Sequence, residues 1–161
     1  MQAAHGLRQG VERVRSEVTR TAFGQIAAGL SELTSPETYL GTARSQYMQG
    51  NLAPVGSATY NLPLSVADGR YALGGTWRSA SDFITAVHRA RLTIGFQARH
   101  VYLVMGGTGS VREYLDGVFL RRVKVRGCPT LYTLVNRASD ASGQLTLDFS
   151  AGISAYDFTF G

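Results

Sequence analysis

Apolar residues recur at helical spacing through the first 34 residues of the chain. Their steps of three and four describe one face of an amphipathic helix: Leu7, Val11, Val14, Val18, Ala22, Ile26, Leu30 and Leu33. Four arginines and three glutamates occupy this segment, a balance that does not suit a basic membrane-surface helix. The pattern predicts one N-terminal amphipathic α-helix or linker in residues 1–34, packed on its own domain or on a neighbour.

From residue 35 onward the apolar period changes to 2, which is typical of half-buried β-strands. Leu92, Ile94 and Phe96 alternate with polar or small residues, and Asp116 with Gly117 gives the strongest two-residue hairpin signal. Turn residues separate the apolar segments at spacings typical of an antiparallel sandwich or barrel. We predict a mainly β fold, an antiparallel β-sandwich over residues 35–161. Its predicted strands lie at 71–77, 92–97, 100–105, 111–115, 118–125, 131–135, 145–149 and 156–160.

The composition agrees with a single β-rich domain. The chain has 161 residues, 44% of them hydrophobic and 17% charged, with 19 glycines, 8 tyrosines and 7 phenylalanines. These values exclude a disordered tail, a coiled coil and a helical bundle. No apolar run approaches the roughly 18 residues of a membrane span, and the N-terminus lacks the apolar stretch of a secretory signal. We expect a soluble chain without direct membrane insertion.

Metal and cofactor chemistry find little support in the sequence. The single cysteine, Cys128, excludes an internal disulfide, a CxxC redox pair and a thiolate-rich metal site. His5, His88 and His100 lie too far apart to predict metal ligands. The glycine-rich segment 106–110 joins two predicted strands, whereas a phosphate-binding loop needs a following helix. We expect no metal and no cofactor.

Catalytic groups are also not indicated. No serine lies in the strand–turn–helix elbow of a hydrolase. The acidic residues beyond residue 34, Glu113 among them, fall at predicted turns or solvent-facing positions, whereas glycoside hydrolysis needs two carboxylates that face each other. We therefore expect that the chain is not an enzyme.

The net charge of +5 is mild and scattered, and no nucleic-acid motif accompanies it, so no nucleic-acid partner is expected. One predicted strand is basic, and its alternation places Arg122, Lys124 and Arg126 on one face. These cations indicate either a solvated edge strand whose like charges discourage further pairing or a surface for an anionic partner. An acidic glycan or a neighbouring domain would be such a partner.

The only tryptophan, Trp77, is a candidate for sugar binding. A sugar site combines a flat aromatic ring for the C–H face of the pyranose with charged or amide groups for its hydroxyls. Trp77 with Arg78 and Asp82 would supply these groups. Packing of Trp77 in the core or at its rim is an equally good interpretation.

Four segments of the chain, taken in order, resemble one protein family. They are SPETYLG at 35–41, YALGGTW at 71–77, ARHVYLVMGGTG at 98–109 together with LDG at 115–117, and GISAYDFTFG at 152–161. Together they resemble the C-terminal domain of DipZ-type proteins, the thioredoxin-like members of the cytochrome c biogenesis group. The resemblance covers residues 35–161.

The resemblance implies a jelly-roll β-sandwich similar to carbohydrate-binding modules. In the family this domain follows a thioredoxin-like domain, and the soluble parts face outside the cytoplasm. Residues 1–34 correspond to the end of that preceding domain and its linker. Because this chain has no CxxC, the redox activity of the relatives transfers to none of its residues.

Two functions follow from these observations. The first is a non-catalytic accessory module that binds carbohydrate or cell-wall glycan and locates a redox partner at the cell envelope. The second is a structural or protein-interaction domain, without a small ligand, that docks on a thioredoxin-like domain or protein through its N-terminal helix or its basic strand.

Overall fold

Strands account for most of residues 34–161, the part of the chain that the computed structural model describes. A short 3-10 turn, Thr42–Arg44, precedes most of them. The predicted N-terminal helix lies outside the described residues. The strands are β1 (Thr38–Tyr39), β2 (Gly56–Tyr60), β3 (Tyr71–Ser79), β4 (Ile84–Gly106), β5 (Gly109–Leu115), β6 (Val118–Val125), β7 (Thr130–Phe149) and β8 (Ser154–Phe160).

Two long strands, β4 and β7, organise the sheet. They contain 23 and 20 residues and pair with each other along most of their length. The sequence pattern predicts two short strands in place of each long strand. This prediction is wrong, because the chain stays extended through a register shift between Ala98 and His100. The apolar alternation is interrupted there, although the strand continues.

The long strands belong to both layers of the sandwich. The first part of β4 pairs with β3 and the last part pairs with β8, while the end of β7 pairs with β5. One layer therefore has the order β2-β3-β4-β7-β5-β6 and the other has β1-β8-β4-β7. All of these pairs are antiparallel, which confirms the predicted mainly β, antiparallel jelly-roll sandwich.

The core lies between the layers and follows the period-2 pattern. Leu92, Ile94 and Phe96 on β4 are fully buried, as are Leu145 and Leu147 on β7. The segment 100–105 is nearly continuously apolar, which predicts a strand buried on both sides. This prediction is wrong, because only alternate residues of the segment are buried.

The hairpin between β5 and β6 forms where the sequence predicts it. Asp116 and Gly117 both have positive φ, 50° and 82°, as a two-residue turn matched to the twist of the strands requires. The hairpin places β6 at one end of the strand order, so β6 is an edge strand. No helix within residues 34–161 is both long and apolar enough to cross a membrane.

Candidate functional site

Trp77 does not form the stacking surface that the sequence analysis considers. Its side chain is 0% exposed, and its ring packs edge-on against Phe149 with centroids 5.0 Å apart. The indole Nε1 donates a hydrogen bond of 3.0 Å to the carbonyl oxygen of Gly74. The sugar-binding role of Trp77 is therefore wrong, since no face of a buried ring is available to a ligand, and its alternative role in the core is what the structure shows.

Arg78 and Asp82 do not converge with Trp77 either. Arg78 follows Trp77 on β3 and is exposed, so its side chain leaves the opposite face of the strand. Asp82 is exposed in the turn between β3 and β4. The three residues proposed from their closeness in sequence do not form one site.

The structure instead contains a cleft of about 580 Å³ on the outer side of β3, β4 and β7. We call it the β3–β4 cleft. Polar, charged and aromatic side chains surround a stretch of glycine backbone in it. Its lining residues are Tyr60, Asn61, Leu62, Gly74, Gly75, Arg89, Ala90, Arg91, Asp148 and Phe149.

A β-bulge shapes one side of the cleft. The register of β3 and β4 shifts between Gly74 and Thr76, and Gly75 and Arg89 both have positive φ, 76° and 47°. A Cβ atom added to Gly75 would lie 1.9 Å from the carbonyl oxygen of Arg89, so the two strands approach as closely as only glycine allows. Bulges redirect side chains, and Arg89 is an exposed residue of the cleft wall.

Arg91 and Asp148 form a bidentate ion pair in the cleft. Nε of Arg91 lies 2.5 Å from Oδ1 of Asp148, and Nη2 lies 3.1 Å from Oδ2. The hydrogen bond to Asp148 raises the pKa of the Arg91 guanidinium. Both side chains remain accessible, at 50% and 28%, so the remaining N–H donors of Arg91 and lone pairs of Asp148 can reach a ligand.

Tyr60 and Trp77 supply aromatic groups in the cleft and next to it. The half-buried side chain of Tyr60 lines the cleft, and its hydroxyl accepts a 3.1 Å hydrogen bond from the amide of Ala53. Trp77 lies next to the cleft, because it hydrogen-bonds to the Gly74 carbonyl and packs on the Phe149 ring, and both residues line the cleft. Trp77 is therefore next to the cleft, as a residue of the core and not as a stacking surface for sugar.

The ion pair begins a row of charges that leaves the cleft across the sheet. Arg91 is opposite Asp148, Asp148 is opposite Arg112 on β5, and Arg112 is opposite Arg122 on the edge strand β6. Residues directly opposite in antiparallel strands share a face, so these four side chains form one line, which we call the arginine row.

Two of the three basic residues that the sequence predicts on one face of a strand lie on that face. Arg122 and Lys124 are exposed on β6, and their positions two residues apart put them on one face. Arg126 is also exposed, but β6 ends at Val125 and the amide of Arg126 donates to the Tyr132 hydroxyl at 3.3 Å. Strand alternation therefore does not extend to Arg126.

Glu113, which the sequence analysis places at the surface, is buried. Its side chain is 0% exposed, and Oε2 lies 2.9 Å from Nε of Arg121. Neither Oε1 nor Oε2 has a hydrogen bond of standard geometry among the described residues. Arg121 also donates to the carbonyl oxygens of Thr133 and Leu134 at 3.1 and 2.6 Å, so it ties the edge strand to β7.

Other chemistry is sparse in the described part of the chain. Residues 34–161 contain no group of three or more His, Cys, Asp or Glu side chains arranged to hold a metal ion. Cys128 is exposed between β6 and β7. The glycine-rich segment 106–110 joins the end of β4 to the start of β5.

This geometry defines an antiparallel β-sandwich domain with a polar cleft on one sheet. Sequence comparison gives its family: residues 35–161 match the model of the thioredoxin-like C-terminal domain. The chain belongs to that family.

Curated relatives include the protein DipZ of Mycobacterium bovis and of Mycobacterium tuberculosis. Each is 33% identical over 131 residues, which cover 79% of this chain and 18% of the relative. This chain therefore spans less than a fifth of the length of these proteins.

Solved structures with a similar fold include two carbohydrate-binding modules. One is CBM36 in complex with calcium and xylotriose, at 15% identity and a TM-score of 0.38 over 78% of this chain and 99% of that one. The other is CsCBM6-3 from Clostridium stercorarium in complex with cellobiose, at 14% identity and a TM-score of 0.36 over 66% and 93%. A family two carbohydrate esterase from Clostridium thermocellum, in complex with cellohexaose, matches 52% of this chain and 28% of its own at 19% identity and a TM-score of 0.46.

Proposed function

We propose that this domain is a non-catalytic carbohydrate-binding module whose ligand occupies the β3–β4 cleft. One observation carries the proposal: the accessible bidentate pair of Arg91 and Asp148 lies in the same cleft as Tyr60 and Asn61. An aromatic ring next to amide and charged groups is what a pyranose requires, because its C–H face is apolar and its rim carries hydroxyls.

Each part of the cleft has a distinct role in this proposal. The ring of Tyr60 contacts the C–H face of a sugar residue. Arg91 donates to sugar hydroxyls with the N–H groups that Asp148 leaves free, while Asp148 accepts from others. Gly74 and Gly75 carry no side chains, so a flat ligand reaches the backbone of β3.

The composition of the cleft supports binding without catalysis. Among its described lining residues Asp148 is the one carboxylate, and both of its oxygens are hydrogen-bonded to Arg91. Glycoside hydrolysis uses two carboxyl groups on opposite sides of the scissile bond. A cleft of this kind holds a sugar without supplying the second group.

The family sets the wider role that we propose. DipZ is much longer than this chain, and the matched region is a C-terminal domain of thioredoxin-like proteins. In our proposal the module binds glycan at the cell envelope and thereby keeps a thioredoxin-like partner close to it. The module itself contributes no dithiol chemistry, since its sequence contains one cysteine.

Substitution of Tyr60 tests the proposal. We expect the full chain to bind at least one member of a panel of cello-, xylo-, manno- and uronic-acid oligosaccharides in isothermal titration calorimetry. Tyr60→Leu should lower that affinity about tenfold, because stacking on the ring is lost. Tyr60→Phe, the matched control, keeps the ring and should bind within about twofold of the wild type.

Circular dichroism and urea unfolding of both variants establish that they are folded. Binding that is equally strong in wild type and Tyr60→Leu would place the sugar elsewhere. The absence of binding to the whole panel by a folded wild-type chain would overturn the proposed function.

A specific surface favours a second function, docking on a thioredoxin-like partner. Val118, Phe119 and Leu120 on the edge strand are 64%, 52% and 45% exposed, beside the basic residues of β6. Exposed apolar residues next to cations are typical of a protein interface. If this surface docks a thioredoxin-like protein, Phe119→Ser should abolish co-elution of the two proteins in gel filtration, whereas Tyr60→Leu should not affect it.

A further inference from the structure

We infer that the ligand of the β3–β4 cleft is an acidic glycan, and that it leaves the cleft along the arginine row to the edge of the sheet. The inference rests on the proposed function and names its substrate class. The juxtaposition that carries it is a row of three arginines and one aspartate beside an aromatic pair, Tyr114 and Phe119. Two of those arginines have no ion-pair partner among residues 34–161.

The part of the arginine row outside the cleft carries a net positive charge. Asp148 is bound by Arg91, whereas no carboxylate among residues 34–161 lies within ion-pair distance of Arg112 or Arg122. Arg112 and Arg122 are directly opposite each other on β5 and β6, and both are exposed. Like charges in directly opposed positions destabilise a strand pair, and an anion placed between them relieves that repulsion.

Aromatic side chains next to the row favour a sugar as the carrier of the negative charge. Tyr114 and Phe119 are opposite each other on the same two strands, with ring centroids 5.5 Å apart. Phe119 is 52% exposed. Tyr114 lies two residues beyond Arg112 on β5, so the two side chains share a face. Apolar ring surface beside two guanidinium groups suits a uronic acid, which has a C–H face and a carboxylate.

The length of the arginine row suits a short oligosaccharide rather than a single ion. The row crosses three gaps between neighbouring strands, which is about 14 Å at the usual strand spacing. It is continuous with the cleft, because Arg91 and Asp148 belong to both. The cleft wall adds a further cation, Arg89. A ligand anchored at Tyr60 therefore meets positive charge at both ends of its path.

The inference is tested with pairs of ligands that differ mainly in charge. Trigalacturonate and trimannuronate are titrated into the full chain by calorimetry, and the methyl ester of each serves as the neutral control. We expect at least one acid to bind about tenfold more tightly than its ester, and the difference to shrink at high salt.

Variants of single arginines test whether the arginine row causes the tighter binding of the acid. Arg112→Gln and Arg122→Gln should each weaken binding of the acid about fivefold and leave binding of the ester unchanged. Arg99→Gln, the matched control, removes the same charge from an exposed residue of β4 that is outside the row and the cleft, and it should change neither affinity. The three variants are compared at one ionic strength after their folding has been verified.

The possible failures are distinguishable. If neutral oligosaccharides bind in a Tyr60-dependent manner and the acids bind no better than their esters, the proposed function stands and the acidic ligand is wrong. An equal effect of Arg99→Gln would mean that net charge, and not the row, attracts the ligand. Equally tight, Arg112-dependent binding of a short polyglutamate would show that the face recognises anions in general, which would overturn the inference in favour of a protein or other polyanion.

Discussion

Glu113 is a buried carboxylate whose state of protonation affects the sheet edge. It lies on β5 with its side chain fully buried, opposite Arg121 on β6. Burial raises its pKa to about 7 from the usual 4.5, although Arg121 acts in the opposite direction. Between those values the folded protein retains a proton that the unfolded chain releases, so the free energy of unfolding falls as the pH rises through this window.

Replacing this residue should remove that pH dependence. We expect the free energy of unfolding of the wild type to decrease by about 1–2 kcal/mol between pH 5 and pH 8 through this group, after allowing for screening at the exposed Arg121. Glu113→Gln is neutral at every pH and should show a correspondingly smaller decrease. Urea titrations of both proteins at pH 5 and pH 8 measure the difference.

The comparison with the variant is necessary because other groups titrate as well. Burial and the neighbouring Glu37 raise the pKa of Asp157, which gives a decrease of the same sign. Asp157 contributes equally to wild type and variant, so their difference isolates Glu113. Parallel stability curves for the two proteins would contradict this account of Glu113.

Trp77 and Glu113 also show which features of the site cannot be predicted from the sequence. The tryptophan predicted for a sugar site is in the core, and the glutamate predicted at the surface is buried. Alternation fixes two faces of a strand and does not say which residue of a pair such as Trp77 and Arg78 faces inward. The neighbouring strands decide that.

At the scale of elements, the bulge between β3 and β4 is the feature that shapes the cleft. Gly75 has φ of 76° and its backbone contacts the Arg89 carbonyl. Gly75→Ala should destabilise the domain by about 3 kcal/mol, because the strands must separate around the new methyl group, and it should weaken glycan binding at the cleft. The urea midpoint and the calorimetric affinity measure both effects.

Gly50→Ala is a matched control for the conformational part of this cost. Gly50 also has positive φ, 103°, but an added Cβ meets no atom within 4 Å. Gly50→Ala should lower the free energy of unfolding by about 1–2 kcal/mol and leave glycan binding unchanged. If both substitutions had the same effect, the close approach of β3 and β4 would not be important for the domain.

The strands themselves were largely predictable, but their pairing was not. Period-2 alternation located most of the buried segments and the hairpin at Asp116–Gly117. The pair that defines the cleft, Arg91 with Asp148, is 57 residues apart in sequence and is brought together only by the register of β4 on β7. The short strand β2, which supplies Tyr60, lacks a strong apolar pattern, so the aromatic side of the cleft was missed.

At the scale of the molecule, the two layers close around β4 and β7 and leave one outer face with unusual chemistry. The cleft, the arginine row and the pair Tyr114–Phe119 all belong to the six-stranded layer. A continuous polar face of this kind suits an extended ligand better than a small molecule. This member of the thioredoxin-like C-terminal domain family is a β-sandwich, and in our proposal its outer face binds a polysaccharide.

The most direct test of carbohydrate binding uses the only tryptophan as a reporter. In a ¹⁵N-labelled full chain, the single indole N–H signal belongs to Trp77, which donates to the carbonyl oxygen of Gly74, a residue that lines the cleft. We predict that titration with the oligosaccharide panel produces saturable shifts of this indole signal and of the Gly74 and Gly75 amides. Shifts confined to residues away from the cleft, or no shifts with any member of the panel, would contradict the account.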